Sequence, residues 1–512
     1  NQIEQLTKEV QSGNDKLQRM MEQIILSNNA RFGRSSEKMD NTDQISFMEV
    51  DGNIIFFNES EAVCDLSAEE PEDLEPKPRG KKKVGKKEAD MSGPVNRVNH
   101  YMTEEELIAE FGENGWKQLP DAISKRYKFI PAKVIVTEHH VGVYASKKDN
   151  RIVKADYPKA LLKGSPVSAS IAAAIMNGKY VNAFPLYRLE KEFERYGLAI
   201  TRQNMANWMI RLGETYISVM YDYLHKLIYD YHVIQADETP VLVNKDGRAA
   251  GSKSYMWVYR SGYMNPEQQI ILYDYQLTRN ASHPREFLKD FSGICVTDGY
   301  QVYHTLEKEK ENLTIAGCWV HMRRRFEQAL QVIPKGSQKG TVSYIAMKQI
   351  QAIYREEGKL KDLTTNERLE QRQAIIKPLV DALFMYLKQN QANVSGSCKL
   401  QDAFKYALNQ EKYLKVFLTD GDVPIDNNAS ERAIRGFCVG KKNWQMIDTI
   451  NGAKTSAMIY SIAETAKANN LKPYDYFEYL LEEIPKHMED TDRSFLEDLL
   501  PWSENLPAHI RK

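Results

Sequence analysis

At 512 residues, with 42% hydrophobic and 27% charged side chains, the chain has room for roughly three or four domains and is too apolar for wholesale disorder. Its 69 Lys and Arg against 70 Asp and Glu leave a formal charge of −1, a total that argues against a strongly basic nucleic-acid binder and an acidic tail protein alike. No apolar run approaches the ~18 residues of a membrane span. Five scattered cysteines (Cys64, Cys295, Cys318, Cys398 and Cys438) suit a reducing cytoplasm better than a disulfide scaffold.

The total conceals a partition. Residues 1–75 carry 6 basic and 17 acidic residues, net −11, and residues 474–512 carry 4 and 10, net −6. The intervening 76–473 is therefore net +16. A basic body suits a polyanionic partner, with uneven surface charge as the plainer alternative.

In chain order, Ile3, Leu6, Val10, Gly13, Leu17, Met20 and Ile24 alternate spacings of three and four. That is a heptad seam over 1–28, for a coiled-coil dimer or an amphipathic helix on a core. Residues 29–100 read as a linker, acidic over 59–75 and then basic over 77–87, where Lys81, Lys82 and Lys83 belong to a phosphate-neutralising arm. Residues 101–160 read as a small β-rich domain, with two or three antiparallel strands over 126–153. His139 and His140 there are surface or packing residues, since adjacent strand positions face opposite ways and no Cys is near.

Residues 161–230 are helical in pattern. Pro185 to Tyr196, a turn at Gly197, and a helix from Gln203 to Leu212 capped by Thr201 have a helix-turn-helix outline that other packed helix pairs share. Arg202, Gln203, Asn204 and Asn207 would then face base edges.

From 231 the pattern becomes a meander of three strands followed by alternating helix and strand, a mixed sheet of the RNase H type over 231–325. Asp237 and Asp298 end apolar strands in this reading. An all-helical insertion over 326–420 precedes DNNASERAIR (Asp426 to Arg435), which supplies Glu431 in a second part of the core, 421–485; residues 486–512 read as an acidic tail. Three converging carboxylates suit Mg²⁺ (or Mn²⁺) and phosphoryl transfer. Ordinary strand-end caps and a Glu431–Arg435 helical pair fit the same residues. Arg323, Arg324, Arg432, Arg435, Lys441 and Lys442 are candidates for phosphate contacts, and Trp444 for stacking on an unpaired base. Cys318 and His321 have a CxxH spacing, but without a second ligand pair they read as a buried thiol and a satisfied histidine, not zinc.

FGRSSEK (Phe32 to Lys38), DETP (Asp237 to Pro240), TDGY (Thr297 to Tyr300), GCWVHMRRRF (Gly317 to Phe326), DNNASERAIR, GKKNW (Gly440 to Trp444) and IAETAKANNLKPYDYF (Ile462 to Phe477) together make the chain resemble the transposases of the insertion sequence 66 family. The resemblance implies a multidomain α/β protein (α+β overall) with an RNase H-like catalytic domain. Asp237, Asp298 and Glu431 would take the family's metal-binding DDE positions. The implied partners are double-stranded DNA at transposon ends and target, a second copy in a homodimer or higher synaptic assembly, and accessory transposition proteins; no membrane is involved. The implied location is the bacterial cytoplasm, at the nucleoid. Family members commonly carry a Cys-rich zinc segment after the basic arm; residues 100–150 contain no Cys, so no zinc is expected there.

Overall fold

The computed structural model describes the backbone of 47–50 and 53–56, and residues 100–113, 117, 132–145, 151–249, 251–262, 267–394 and 398–512. The heptad seam and the Lys81–Lys83 arm lie outside these residues. The chain divides into two compact units, 35–133 and the remainder. In the first, β1 (Phe47–Val50) and β2 (Asn53–Phe56) pair antiparallel, so part of the expected linker forms a hairpin. α1 (Glu104–Phe111) follows within the span read as β-rich. Thr103 and Glu106 form a capping box at its start, and three acids in its first turn complement the helix dipole.

In the second unit, β3 (Val143–Ala145) and β4 (Ile152–Lys154) form an exposed antiparallel pair. Residues 132–142 carry no regular structure, so His139 and His140 are not on a strand; both are exposed, and His140 Nε2 lies 3.2 Å from Glu138. The helices α2 (Ala169–Met176), α3 (Leu186–Arg195), α4 (Arg202–Leu212) and α5 (Ser218–Leu227) follow. Gly197 reverses the chain after α3 at φ +80°, a left-handed conformation open to glycine. The Thr201 hydroxyl accepts from Asn204 N to start α4.

The sheet is built from β5 (Val233–Lys245), β6 (Lys253–Ser261), β7 (Ile271–Gln276), β8 (Gly293–Thr297) and β9 (Leu313–Gly317). Between them run α6 (Ser282–Phe287) and α7 (Gln301–Glu309), and α8 (Trp319–Gln331) follows β9. The order is β7-β6-β5-β8-β9, with the first three antiparallel and β5, β8 and β9 mutually parallel. β5 does not end at Asp237 but runs eight residues further. Pro240 is tolerated inside it because β8 pairs β5 only as far as Gln235, leaving that edge of β5 open where the missing N–H would be.

Strand residues alternate between two cores. Val233, Ile294, Val296 and Ala316 pack with the helical segment on one face; Ile234, Cys295 and Ile315 pack with the N- and C-terminal helices on the other. The helical segment contains α9 (Val342–Gly358), α10 (Thr365–Gln371), α11 (Lys377–Asn390), α12 (Lys399–Asn409) and α13 (Glu411–Leu414). Trp319, Phe326, Phe384, Phe404 and Phe417 form its aromatic centre.

The chain then returns to the sheet through α14 (Asn428–Trp444), β10 (Ile447–Thr449, parallel to the far end of β5), α15 (Ile450–Ala468), α16 (Pro473–Glu483) and α17 (Phe495–Asp498). α15 covers the edge strand β7. Ser461 and Thr465 hydroxyls accept from Tyr273 N (2.7 Å) and Ile271 N (3.0 Å), and Asn469 Oδ1 accepts from Gln269 N (3.0 Å). Four helical residues rise about 6 Å and two strand residues about 6.6 Å, so side chains at i, i+4 and i+8 match alternate strand amides. This satisfies an edge that would otherwise invite intermolecular pairing. Residues 486–512 are not a loose tail: Leu496, Leu499, Leu506 and Ile510 are buried, because their apolar spacing outweighs the acidic composition.

Candidate active site

The pairing of β5 with β8 ends at Gln235 opposite Val296. Extending that register by two residues brings Asp237 abreast of Asp298, which stands just past the end of β8. Each carboxylate accepts from a backbone amide: Asp237 from Glu238 N and Asp298 from Tyr300 N, both at 2.8 Å. Burial first, then the charges of Glu238, Asp298 and Glu431, push Asp237 well above the usual carboxylate range. Acids from three separate elements, each half-buried, are therefore close enough to act on one another.

Glu431 reaches that point because α14 starts against β5. Asn427 Nδ2 donates to the carbonyl of Ala236 at 2.8 Å, while Asn427 Oδ1 accepts from Gln235 Nε2 (3.2 Å) and from the Ser430 hydroxyl (2.7 Å). Glu431 lies one turn beyond Asn427 and so rises on the same face. Arg260 Nη1 and Tyr273 Oη hold the carbonyls of Ala429 and Ala433 at 3.1 and 2.6 Å, fixing the helix on the sheet. Near Glu431 are the His321 imidazole, with Nε2 4.0 Å from Oε1, and the Arg324 guanidinium, 3.8 Å from Oε2; the pairing with Arg435 does not form.

Glu238, the second residue of the DETP run, was given no role by the sequence. Its carboxylate pairs with Arg279 and accepts from Tyr303 Oη at 3.2 Å. The Arg279 guanidinium also lies 3.7 Å over the Tyr300 ring, and Tyr300 Oη donates to the Arg279 carbonyl at 2.8 Å. Since Tyr300 N holds Asp298, Arg279 links the Asp237–Glu238 stretch of β5 to the loop that bears Asp298. Burial, and then the charge of Asp298, raise Glu238 to about 7 despite Arg279. The adjacent Asp-Glu pair on a buried strand is the only sequence signal of this cluster.

Cys318 and His321 also meet Glu431: one ligand atom from each lies within 4.8 Å of the other two. Cys318 is fully buried and its Sγ accepts from Asn427 N at 3.2 Å. Burial pushes the His321 imidazole down against the pull of Asp298 and Glu431. His321 Nδ1 and Glu431 Oε1 are buried without hydrogen-bond partners.

The remaining sequence candidates divide. Arg202, Gln203, Asn204 and Asn207 are exposed at the start of α4, whose Met205, Trp208, Met209 and Leu212 are buried. Arg323 is exposed, over the Tyr354 ring at 5.6 Å, and Arg432 and Lys442 are exposed on α14. Arg435 Nε is buried. Lys441 Nζ donates to the carbonyl of Pro240 at 2.8 Å, clamping α14 to β5. Trp444 does not offer a free stacking face: it is half-buried, edge-on to Phe437 at 5.6 Å, because the end of α14 turns it into the core. Among the described residues no helix is long and apolar enough to cross a membrane.

Residues 164–455 match the profile described as Transposase IS66 family, 461–502 that of the IS66 C-terminal element, and 19–92 that of the Transposase C of IS166 homeodomain. Among curated proteins, the uncharacterized protein y4qI of Sinorhizobium fredii is 30% identical over 389 residues, covering 74% of this chain and 70% of its own. The uncharacterized protein y4jD of the same organism is 26% identical over 395 residues, 75% and 76% of the two chains.

Proposed function

The chain belongs to the IS66 family of transposases, and on that premise we propose that it binds transposon terminal inverted repeats and carries out metal-dependent strand cleavage and strand transfer at Asp237, Asp298 and Glu431. The single observation that carries this reading is the β5–β8 register that sets Asp237 abreast of Asp298, with the helix bearing Glu431 anchored beside them through Asn427 and the Ala236 carbonyl. A β7-β6-β5-β8-β9 sheet with β7 to β5 antiparallel and the rest parallel supports an RNase H-like catalytic domain interrupted by α9 to α13.

The three carboxylates fit a hard divalent cation. They crowd negative charge in one place, and Glu431 Oε1 has no partner. Bound there, Mg²⁺ or Mn²⁺ would supply Lewis-acid stabilisation of the attacking and leaving oxygens. Asn427 and Arg279 hold the acids in register, so the geometry exists before DNA arrives. Arg324, beside Glu431, and the exposed Arg323 and Arg432 on α8 and α14 would neutralise phosphates of the bound strand. The exposed start of α4 would read base edges of the repeat as the second helix of a helix-turn-helix. The heptad seam would join two copies so that both ends are held together, at the nucleoid, with accessory transposition proteins as further partners.

The test is a cutting assay on duplex DNA carrying the terminal inverted repeats. Wild-type protein should nick it in Mg²⁺ or Mn²⁺. Asp298→Asn should bind the same DNA without nicking it; nicking at the wild-type rate by that variant would overturn the assignment.

A further inference from the structure

Glu431 acts electrostatically on Asp237, and it also meets Cys318 and His321, whose sulfur and ring nitrogen lie within 4.8 Å of each other and of the Glu431 carboxylate. We propose that Cys318, His321 and Glu431 form a binding site for a thiophilic divalent cation, Zn²⁺, that shares Glu431 with the carboxylate centre. By sequence, the CxxH spacing alone is a weak zinc signal, since it lacks a second ligand pair. The missing ligand comes from α14, 110 residues beyond His321.

Four observations carry the site. Cys318 caps α8 and His321 is in its first turn, so the i, i+3 spacing puts both on one face. His321 Nδ1 and Glu431 Oε1 are buried without hydrogen-bond partners, a state that native interiors rarely leave unexplained. Cys318 Sγ already accepts the Asn427 amide at 3.2 Å, as a thiolate ligand would. The donors also select the ion: a sulfur and an imidazole favour Zn²⁺ over Mg²⁺.

Zn²⁺ sits about 2.0–2.3 Å from such ligands, which requires ligand atoms about 3.4 Å apart, so His321 and Glu431 need only modest side-chain rotation. Two helix N-termini point at the site and disfavour a bare cation. Burial keeps the Cys318 thiol protonated without metal, so Zn²⁺ binding releases that proton to solvent; the resulting thiolate and the Glu431 carboxylate together cancel the charge of Zn²⁺. Arg324, 3.8 Å from Glu431 and partly exposed, is free to swing away. Three protein ligands leave the fourth position to water. Zn²⁺ held in this way withdraws Glu431 from Asp237 and Asp298, and so opposes cutting. Only that consequence rests on the catalytic reading; the binding itself does not.

The full chain, freed of metal, is titrated with Zn²⁺ against a chromogenic chelator, and separately with Co²⁺ as a spectroscopic probe. We expect a Zn²⁺ site that Cys318→Ser and His321→Asn each weaken about tenfold or more, with the fold of each variant checked by circular dichroism. Co²⁺ bound to the wild type should give a thiolate charge-transfer band that Cys318→Ser removes. Failure of the wild type to take up Zn²⁺, or unchanged affinity in both variants, would overturn the proposal. In the cutting assay, Zn²⁺ added over Mg²⁺ should inhibit wild type more than Cys318→Ser; equal inhibition would overturn the sharing of Glu431. A protein that binds Zn²⁺ as expected but cuts no DNA would overturn the catalytic reading alone.

Discussion

Asn427 Nδ2 donates to the backbone carbonyl of Ala236 at 2.8 Å, one residue before Asp237 and one helical turn before Glu431. A single amide thus registers the helix that bears one acid against the strand that bears another. Asn427→Ala leaves the Ala236 carbonyl and Gln235 Nε2 short of a buried partner, so we expect a loss of about 1–3 kcal/mol in urea unfolding. Cutting of end DNA should fall by more than that stability loss explains, because misplacing Glu431 costs alignment as well. A variant destabilised as expected but as active as wild type would show that Asn427 serves only the fold.

Glu238 yields a pH dependence. Its carboxyl is raised from an ordinary 4.5 to about 7, by burial and then by the charge of Asp298. Between those values the folded chain keeps a proton that the unfolded chain has released. Stability therefore falls as pH rises through that window, on the order of 3 kcal/mol in total. Metal-free wild type unfolded in urea at pH 5 and at pH 7.5 should show the fall, and Glu238→Gln should show less of it. Equal pH slopes for the two proteins would remove Glu238 as the source.

Thr465 carries the cover of the sheet edge. Its hydroxyl both accepts from Ile271 N and donates to Ile271 O, each at 3.0 Å. Thr465→Val keeps the shape and strands a buried amide, so thermal melting should reveal a loss of about 1–3 kcal/mol. Thr465→Ser should recover most of it.

The exposed start of α4 should affect DNA and not the fold. Arg202→Ala combined with Asn204→Ala should leave the melting temperature nearly unchanged and weaken binding to end DNA by about 1–3 kcal/mol per lost base contact. Electrophoretic mobility shifts at fixed salt measure this. Unchanged affinity would move the reading surface elsewhere.

Much of this was legible from local pattern. Three apolar strands, the Gly197 turn with its Thr201 cap, and the helical character of 342–414 follow from periodicity and turn chemistry. The continuation of β5 was not, because Pro240 looks like a strand breaker until the free edge beyond Gln235 is known. The hairpin of β1 and β2 had a signal in Asp51-Gly52 between apolar runs, hidden by the acidic composition around it. Packing of Leu496 to Ile510 was masked in the same way. The pairing of Glu238 with Arg279, and of Cys318 and His321 with Glu431, depends on contacts 41 and about 110 residues apart that no local rule supplies.

The most direct measurement is metal-dependent cutting of inverted-repeat DNA by Glu431→Gln beside wild type. The substitution keeps the size of the side chain and removes the charge that α14 brings to Asp237 and Asp298. The account predicts that cutting in Mg²⁺ or Mn²⁺ disappears while binding to the same DNA persists. Full cutting by Glu431→Gln would contradict it.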